Sequence, residues 1–520
     1  MLFKKGDCYI MGEKVLIPTK AQVETILNIV GTTSDTGGST TAGTINAKLN
    51  NILTSLSSGG SSPSAQIRVN CSDLNIDVTI SDGKITNTLT STTIQSNGYA
   101  IIDVPHFGDW TVTIKNKTTN TTVKRYVDVT ENKLYDVNGS TGYLRYGIKI
   151  EKNNSDPSAR ITYIHDAVGM TPAKMDYTTG SFDYGSWRNV WFVKDNKPVM
   201  LKSDGTEAYE LDPYDHTKTI NGGSSDISNS AFDGNAMSRI PLCYLYMYED
   251  DNYEYIIVSD GPYDANYKPI AHTRSDGSIA SNVYIAMYES SVINSRARSL
   301  SGFVPTVNTT MDNEITYATA NGGTDGSNKW YIGTWSQRTL INALLFIMGK
   351  SDNTQTVFGR GVCSASAKIN TGTSLKRGQF WGSSTNDSTV KVFYIENWWG
   401  NIWKRIAGLM ALSGQVKYKM NGPYNTTGSG YVDATTISSN FSGYITKSTT
   451  GAYGRIPTAA SGGSESTYLC DYTWMYKSDT YTALVGGTWG YGSYCGASFL
   501  RLFNTPSYSN LYVGSALSFL

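Results

Sequence analysis

The chain has 520 residues, room for three to four domains at roughly 150 residues each. Lys+Arg and Asp+Glu both number 43, and this zero net charge argues against a dedicated nucleic-acid binder, which carries a basic excess. Only 17% of residues are charged while Tyr alone numbers 36 and Gly 51, a composition that suits a β-rich binding protein better than an intracellular catalyst.

Met1-Leu-Phe-Lys-Lys5 resembles the start of a signal peptide, but Gly6-Asp7-Cys8-Tyr9 follows in place of an apolar run, so no signal peptide is expected. No stretch approaches ~18 apolar residues, so no membrane insertion is expected either. Thr19 with Gln22 forms a capping box ahead of Val23, Ile26, Leu27 and Val30 on one helical face. A second helix carries Ile45, Leu49, Ile52 and Leu56 at coiled-coil spacing. Residues 1–62 are therefore expected to be a helical segment that supports self-association, with a Ser/Gly linker at 57–64.

Residues 66–140 read as a β-sandwich. Apolar residues alternate at Ile67, Val69 and Cys71, at Ile76, Val78 and Ile80, and at Trp110, Val112 and Ile114. Asp82-Gly83 and Asn97-Gly98 supply turns, and the spacing suggests an immunoglobulin-like spacer. From Tyr143 to Leu520 the texture is continuous: short strands, frequent Gly, Tyr and Trp, and one clear helix over Ser336–Met348. Ser336 is its expected cap and Gly349 its expected stop. The fold class expected for the whole is mainly β with few helices.

Motifs for catalysis and cofactors are absent. There is no phosphate loop and no HExxH, so catalytic residues, cofactors and metal ligands are all expected to be none. His165-Asp166 and Asp215-His216 could be acid/base halves but read better as loop histidines beside solvated carboxylates. Glu249-Asp250-Asp251, flanked by Tyr246, Tyr248 and Tyr253, reads as a charged hairpin turn rather than a glycosidase carboxylate. The six cysteines make no CxxC pair and are expected to be free and buried.

The tail is the informative part. Between Tyr472 and Ser515 stand eleven aromatics, and only Lys477, Asp479 and Arg501 are charged. Tyr and Trp interleaved with Gly and Ser is the composition of a paratope, large rigid rings among small adaptable residues. The block Gly486-Gly487-Thr488-Trp489-Gly490-Tyr491-Gly492-Ser493-Tyr494-Cys495-Gly496, with Leu502, Pro506-Ser507 and Gly514, resembles the variable region of proteins diversified by retroelements. Upstream, Trp399-Gly400-Asn401-Ile402-Trp403 is similar to the GN-[VI]-W signature of the C-type-lectin-like fold shared with formylglycine-generating enzymes, with Lys404-Arg405 in place of the usual Glu-Trp.

The resemblance implies a C-type-lectin-like α+β domain over 143–520 whose C-terminal face, about 472–515, is replaced between clones. The positions it nominates for receptor binding are Trp489, Gly490, Tyr491, Tyr494, Ser498, Phe499, Arg501, Phe503, Tyr508, Leu511 and Tyr512. It implies a phage tail fibre or tip protein, located in the virion, with 1–62 as the attachment or trimerisation segment. The partners it implies are a bacterial surface protein or glycan and the phage tail or baseplate proteins, in a homotrimer. The alternatives are a tail-associated glycosidase, a formylglycine-generating-enzyme-like catalyst, for which Cys470 and Cys495 are the nearest cysteine pair, and a structural tail protein without adhesion.

Overall fold

The computed structural model describes three short strands before residue 16 and residues 65–520, save 71–74, 83–88, 92–97, 140–141 and 323–328. Both expected N-terminal helices, and with them the self-association seam, lie outside the described residues. The described chain is mainly β, with four α-helices: α1 (Trp191–Lys194), α2 (Met311–Thr319), α3 (Trp335–Gly349) and α4 (Thr354–Phe358). None of them is long and apolar enough to cross a membrane.

Two sheets enclose the first core. One orders Leu134–Asn138, Gln66–Asn70 and Tyr99–Asp103; the other orders Leu89–Ser91, Ile76–Ser81, Gly108–Asn116 and Thr122–Val129. Alternate residues point inward as the period of two dictates, so Ile67, Val69, Ile76, Val78, Ile80, Val112 and Ile114 meet around Trp110. Gly98 has φ +83°, which lets the chain turn into Tyr99–Asp103.

Beyond residue 143 three larger sheets enclose several hydrophobic clusters. A four-stranded sheet holds Ile161–His165, Arg145–Glu151, Tyr253–Ser259 and Tyr244–Glu249 in that order. A six-stranded sheet places the last strand, Ala516–Phe519, between Asn282–Glu289 and Trp330–Ile332. An eight-stranded sheet runs through Val432–Thr436, Gln415–Tyr418, Trp403–Leu412, Thr480–Val485, Leu500–Asn504, Tyr472–Met475 and Phe441–Tyr444, with Val513–Gly514 added parallel to Trp403–Leu412.

Helix α3 is buried on every side. Leu344, Leu345, Ile347 and Met348 pack with Ile148, Ile150, Ile256 and Val258 of the four-stranded sheet, while Trp335 packs under the eight-stranded one. Its start differs from expectation. Thr334, not Ser336, is the N-cap: its hydroxyl accepts from Gln337 N–H and the Gln337 side chain accepts from Thr334 N–H. A cap at Thr334 satisfies two orphan donors reciprocally, which Ser336 could not do with Thr339 three residues on. The helix also keeps Gly349 and ends at Lys350, which takes the left-handed conformation (φ 48°, ψ 40°). Helix α2, capped by Thr310 with Asp312 and Glu314 in its first turn, was not expected from the sequence; its apolar face is short.

Trp403 is buried, at 2% exposure. Because it starts a central strand and packs against Phe499, Leu484 and Val513, Trp403→Ala should destabilise the protein by about 3–5 kcal/mol. Urea or thermal unfolding checks this; an unchanged transition contradicts the placement.

Candidate binding face

The eight-stranded sheet has two faces with different jobs. Met475, Ala483, Val485, Leu500 and Leu502 point inward to the core beneath Trp335. Their strand neighbours point the other way, so Trp403, Leu484, Arg501, Phe503, Tyr472 and Trp474 line the outer face. The segments 486–499 and 505–512 fold back over that face and bring Trp489, Tyr491, Tyr494, Tyr508 and Tyr512 onto it.

The result is two tiers. The lower holds Trp403, Leu484, Phe499 and Val513, all buried. The upper is a set of half-buried rings joined through the buried Trp403. Tyr494 stacks on Tyr472 with centroids 4.2 Å apart, and Tyr472 meets Trp474 at 4.4 Å. Trp474 meets Tyr491 at 5.5 Å, Tyr491 meets Trp403 at 4.8 Å, and Trp489 meets Tyr512 at 5.0 Å. Tyr444, from the sheet's edge strand, extends the set: its ring lies 5.4 Å from Tyr494 and its hydroxyl 2.8 Å from Ser493 Oγ. Sequence reasoning missed Tyr444 because it lies before the aromatic block, on a strand without apolar alternation.

The nominated positions fall into three groups. Trp489, Tyr491, Tyr494, Tyr508 and Tyr512 are half-buried rings on the face, and Gly490, Phe503 and Leu511 are exposed. Ser498 is tied down by its backbone N–H, which donates to Asp471 Oδ2 at 2.7 Å. Phe499 is a correction. At 1% exposure it belongs to the core tier, since the chain there must fill the space above Trp403 and Leu484, and it cannot touch a partner. Arg501 is 8% exposed, its guanidinium 4.4 Å from the Trp403 centroid, 5.3 Å from Trp474 and 4.9 Å from Phe503.

The glycines of the block divide in the same way. A Cβ on Gly487 would sit 2.4 Å from Cys495 Sγ, and one on Gly496 2.0 Å from Asp471 Oδ1, with φ +81° and +150° respectively. A Cβ on Gly490 would meet nothing within 4 Å. Gly487 and Gly496 are thus sterically required, and Gly490 between them is open.

Buried charges pin the segments that carry the rings. Arg405 lies 3.2 Å from Glu314 of α2 and donates to Pro506 O at 3.1 Å and Tyr508 O at 2.8 Å. Burial pushes the Glu314 carboxyl up to about 7, against the pull of Arg405. Lys404 pairs with Glu289 at 2.9 Å and donates to Gly400 O, while Asn401 donates to the same carboxylate. Arg338 of α3 donates to Trp398 O at 2.6 Å and Ala497 O at 3.1 Å, which anchors the turn before Phe499.

The other chemistry weighed from the sequence takes these positions. His216 is buried, its Nδ1 2.8 Å from Asp212 O and its Nε2 3.1 Å from Lys391 Nζ. Burial and the Lys391 charge push its pKa down to about 3, so the imidazole stays uncharged at neutral pH. Asp215 instead accepts from Thr217 Oγ1. Asp166 accepts from Arg145 N–H rather than from His165. Asp250 caps the hairpin turn expected there by accepting from Asn252 and Tyr253 N–H. Cys243, Cys363, Cys470 and Cys495 are free and buried. For the formylglycine-type alternative, the thiol that neighbours Cys495 is that of Cys363, whose carbonyl accepts from Gly492 N–H at 2.6 Å. Among the described residues no cluster of His, Cys, Asp or Glu is fit to hold a metal.

No family model matches the chain, and no curated protein matches it. Among solved structures it is similar to the Major Tropism Determinant P3c variant, with 12% identity, 78% of this chain and 80% of that chain covered, and a TM-score of 0.21. A score of that size does not establish a shared fold, and the functional reading rests on the geometry above.

Two paired substitutions test the division. Phe499→Ala should cost about 3–5 kcal/mol of stability while Tyr494→Ala costs less than about 1. Gly496→Ala should cost about 2 kcal/mol or more, from backbone strain and overpacking, while Gly490→Ala leaves the unfolding midpoint in place.

Proposed function

We propose that this protein is a phage tail receptor-binding protein, non-enzymatic, that holds a bacterial surface molecule on the aromatic face built from residues 472–515. The observation that carries the reading is the split within one segment. Gly487, Gly496 and Phe499 are locked by packing, while Trp489, Gly490, Tyr491, Tyr494, Tyr508, Leu511 and Tyr512 are half-buried or exposed in the layer above the core. A scaffold that must accept many surfaces needs that separation, and rigid rings supply contact area at low entropic cost.

On this reading residues 143–520 are a C-type-lectin-like domain, in keeping with Trp403 and the buried α3, and residues 66–140 an immunoglobulin-like spacer. Residues 1–62 attach the protein to the tail and help form a homotrimer in the virion. Several copies engaging one surface raise avidity by about 10²–10⁴-fold over a single weak face. Retroelement-driven replacement of the face belongs to the same proposal, supported by the motif order and its position at the end of the aromatic block.

Labelled full-length protein should stain at least one strain in a panel of bacterial cells. Tyr491→Ala and Tyr494→Ala should each weaken that staining by about 2 kcal/mol or more, with melting temperatures unchanged. Staining that survives both substitutions contradicts the reading. Light scattering at micromolar concentration should give three times the 56.7 kDa chain mass, and a monomer refutes the trimer.

A further inference from the structure

Arg501 is the one charge at the centre of the aromatic face, and its surroundings are unusual for a buried cation. The residue is 8% exposed, and no carboxylate among the described residues lies within ion-pair distance of it. Rings surround it instead: Trp403, Trp474 and Phe503 at 4.4–5.3 Å, with the Tyr491 hydroxyl acting on it electrostatically. Burial pushes the guanidinium pKa down, and the groups that push it back up are tyrosines, not acids.

Other buried arginines of this protein have oxygen acceptors: Arg338 and Arg298, also without a carboxylate, donate to backbone carbonyls. Arg405 has Glu314, and Arg455 has both Glu254 at 2.6 Å and Asp352 at 2.5 Å. Arg501 Nε and Trp403 Nε1 are both buried without an acceptor among the described residues. Aromatic faces offset part of the lost hydration of a cation, but a buried charge is ordinarily paired or hydrogen-bonded. Arg501 projects from the outer face of the sheet, so a ligand on that face is the source from which a counter-charge would come.

We infer that the group recognised at the centre of this face is a carboxylate, carried by an acidic sugar of a bacterial surface polysaccharide, and that Arg501 pairs with it. The inference rests on the receptor-binding reading and deepens it. A uronic or sialic unit matches the face in kind. It brings one carboxylate to the one cation, a carbon-bound hydrogen face to rings such as Tyr491 and Trp489, and hydroxyls to Tyr444, Ser493 and the other tyrosine oxygens. An acidic peptide brings its charge with a row of backbone amides, and the face, built of side chains, offers those amides little. Guanidinium and carboxylate pair bidentately, and a charged hydrogen bond formed in a ring-lined, poorly hydrated site is stronger than one in water.

The test uses full-length protein and two probes, an oligosaccharide of alternating glucuronate and N-acetylglucosamine and an oligomer of sialic acid. Each is paired with its carboxyl-reduced form, in which the carboxylates have become primary alcohols. Titration calorimetry should show at least one acidic oligomer bound about tenfold or more tighter than its reduced form, with the preference falling as salt rises. Arg501→Gln should abolish the preference, leaving both forms equally weak, with its melting temperature kept or raised because an unpaired buried charge has been removed. Tyr494→Ala should weaken both forms while the preference remains.

If neither acidic oligomer binds, if the wild-type protein holds acid and reduced forms alike, or if Arg501→Gln keeps the preference, the inference is overturned. Arg501-dependent binding of a poly-glutamate peptide without binding of either oligosaccharide overturns the sugar assignment. The reduced-probe comparison needs no variant, so it stands even if Arg501→Gln fails to fold. Loss of cell staining in Tyr491→Ala without any carboxylate preference leaves the binding face standing and removes only this inference. Unchanged staining removes the face itself.

Discussion

The outer face of the eight-stranded sheet has to be covered, and the chain covers it with the same segments that it exposes. Strand alternation sends Leu500 and Leu502 into the core and therefore sends Arg501 and Phe503 out, as it does Tyr472 and Trp474 opposite Met475. Left open, that face would be a broad apolar patch. The segments 486–499 and 505–513 close it with Phe499 and Val513 beneath and half-buried tyrosines and tryptophans above. Packing and recognition thus share one layer of rings, and each ring's depth decides which it serves.

This arrangement works only if the covering segments hold their course whatever side chains they bear. Their fixed points are backbone contacts. Arg405 reaches the carbonyls of Pro506 and Tyr508, Arg338 reaches that of Ala497, and Thr488 Oγ1 donates to Asn401 O. Lys404-Arg405, which departs from the Glu-Trp of the resembling signature, has its own partners in Glu289 and Glu314. Removing one member of such a buried pair strands the other, so these four residues are expected to change together or not at all. Ties to carbonyls ask nothing of the side chains they hold, which is what a changeable surface requires.

Much of this was legible in the sequence. Alternation located the strands at 67–69, 76–80 and 110–114, the broad stripe from Leu340 to Met348 announced a buried helix, and density of aromatics singled out 472–515. Depth was not legible. Phe499 reads like Tyr494 in a string of rings and glycines, and only the fold-back of the chain buries one beneath the other. Tyr444 joins the face through a strand pairing, Tyr444 with Tyr472, that no local pattern encodes. Thr334 and Gln337 were a readable capping box overlooked in favour of Ser336. The Cys363–Cys495 contact depends on a turn at Gly492, and sequence distance gave no hint of it.

The central claim is that one segment divides, residue by residue, into a locked layer and an open one. A saturation scan of residues 486–514, with resistance to proteolysis as the measure of folding, tests it most directly. The account predicts broad tolerance at Trp489, Gly490, Tyr491, Tyr494, Tyr508, Leu511 and Tyr512, and sharp loss at Gly487, Gly496, Phe499 and Val513. Tolerance spread evenly over the segment, or loss of folding at the upper rings as severe as at Phe499, would contradict it.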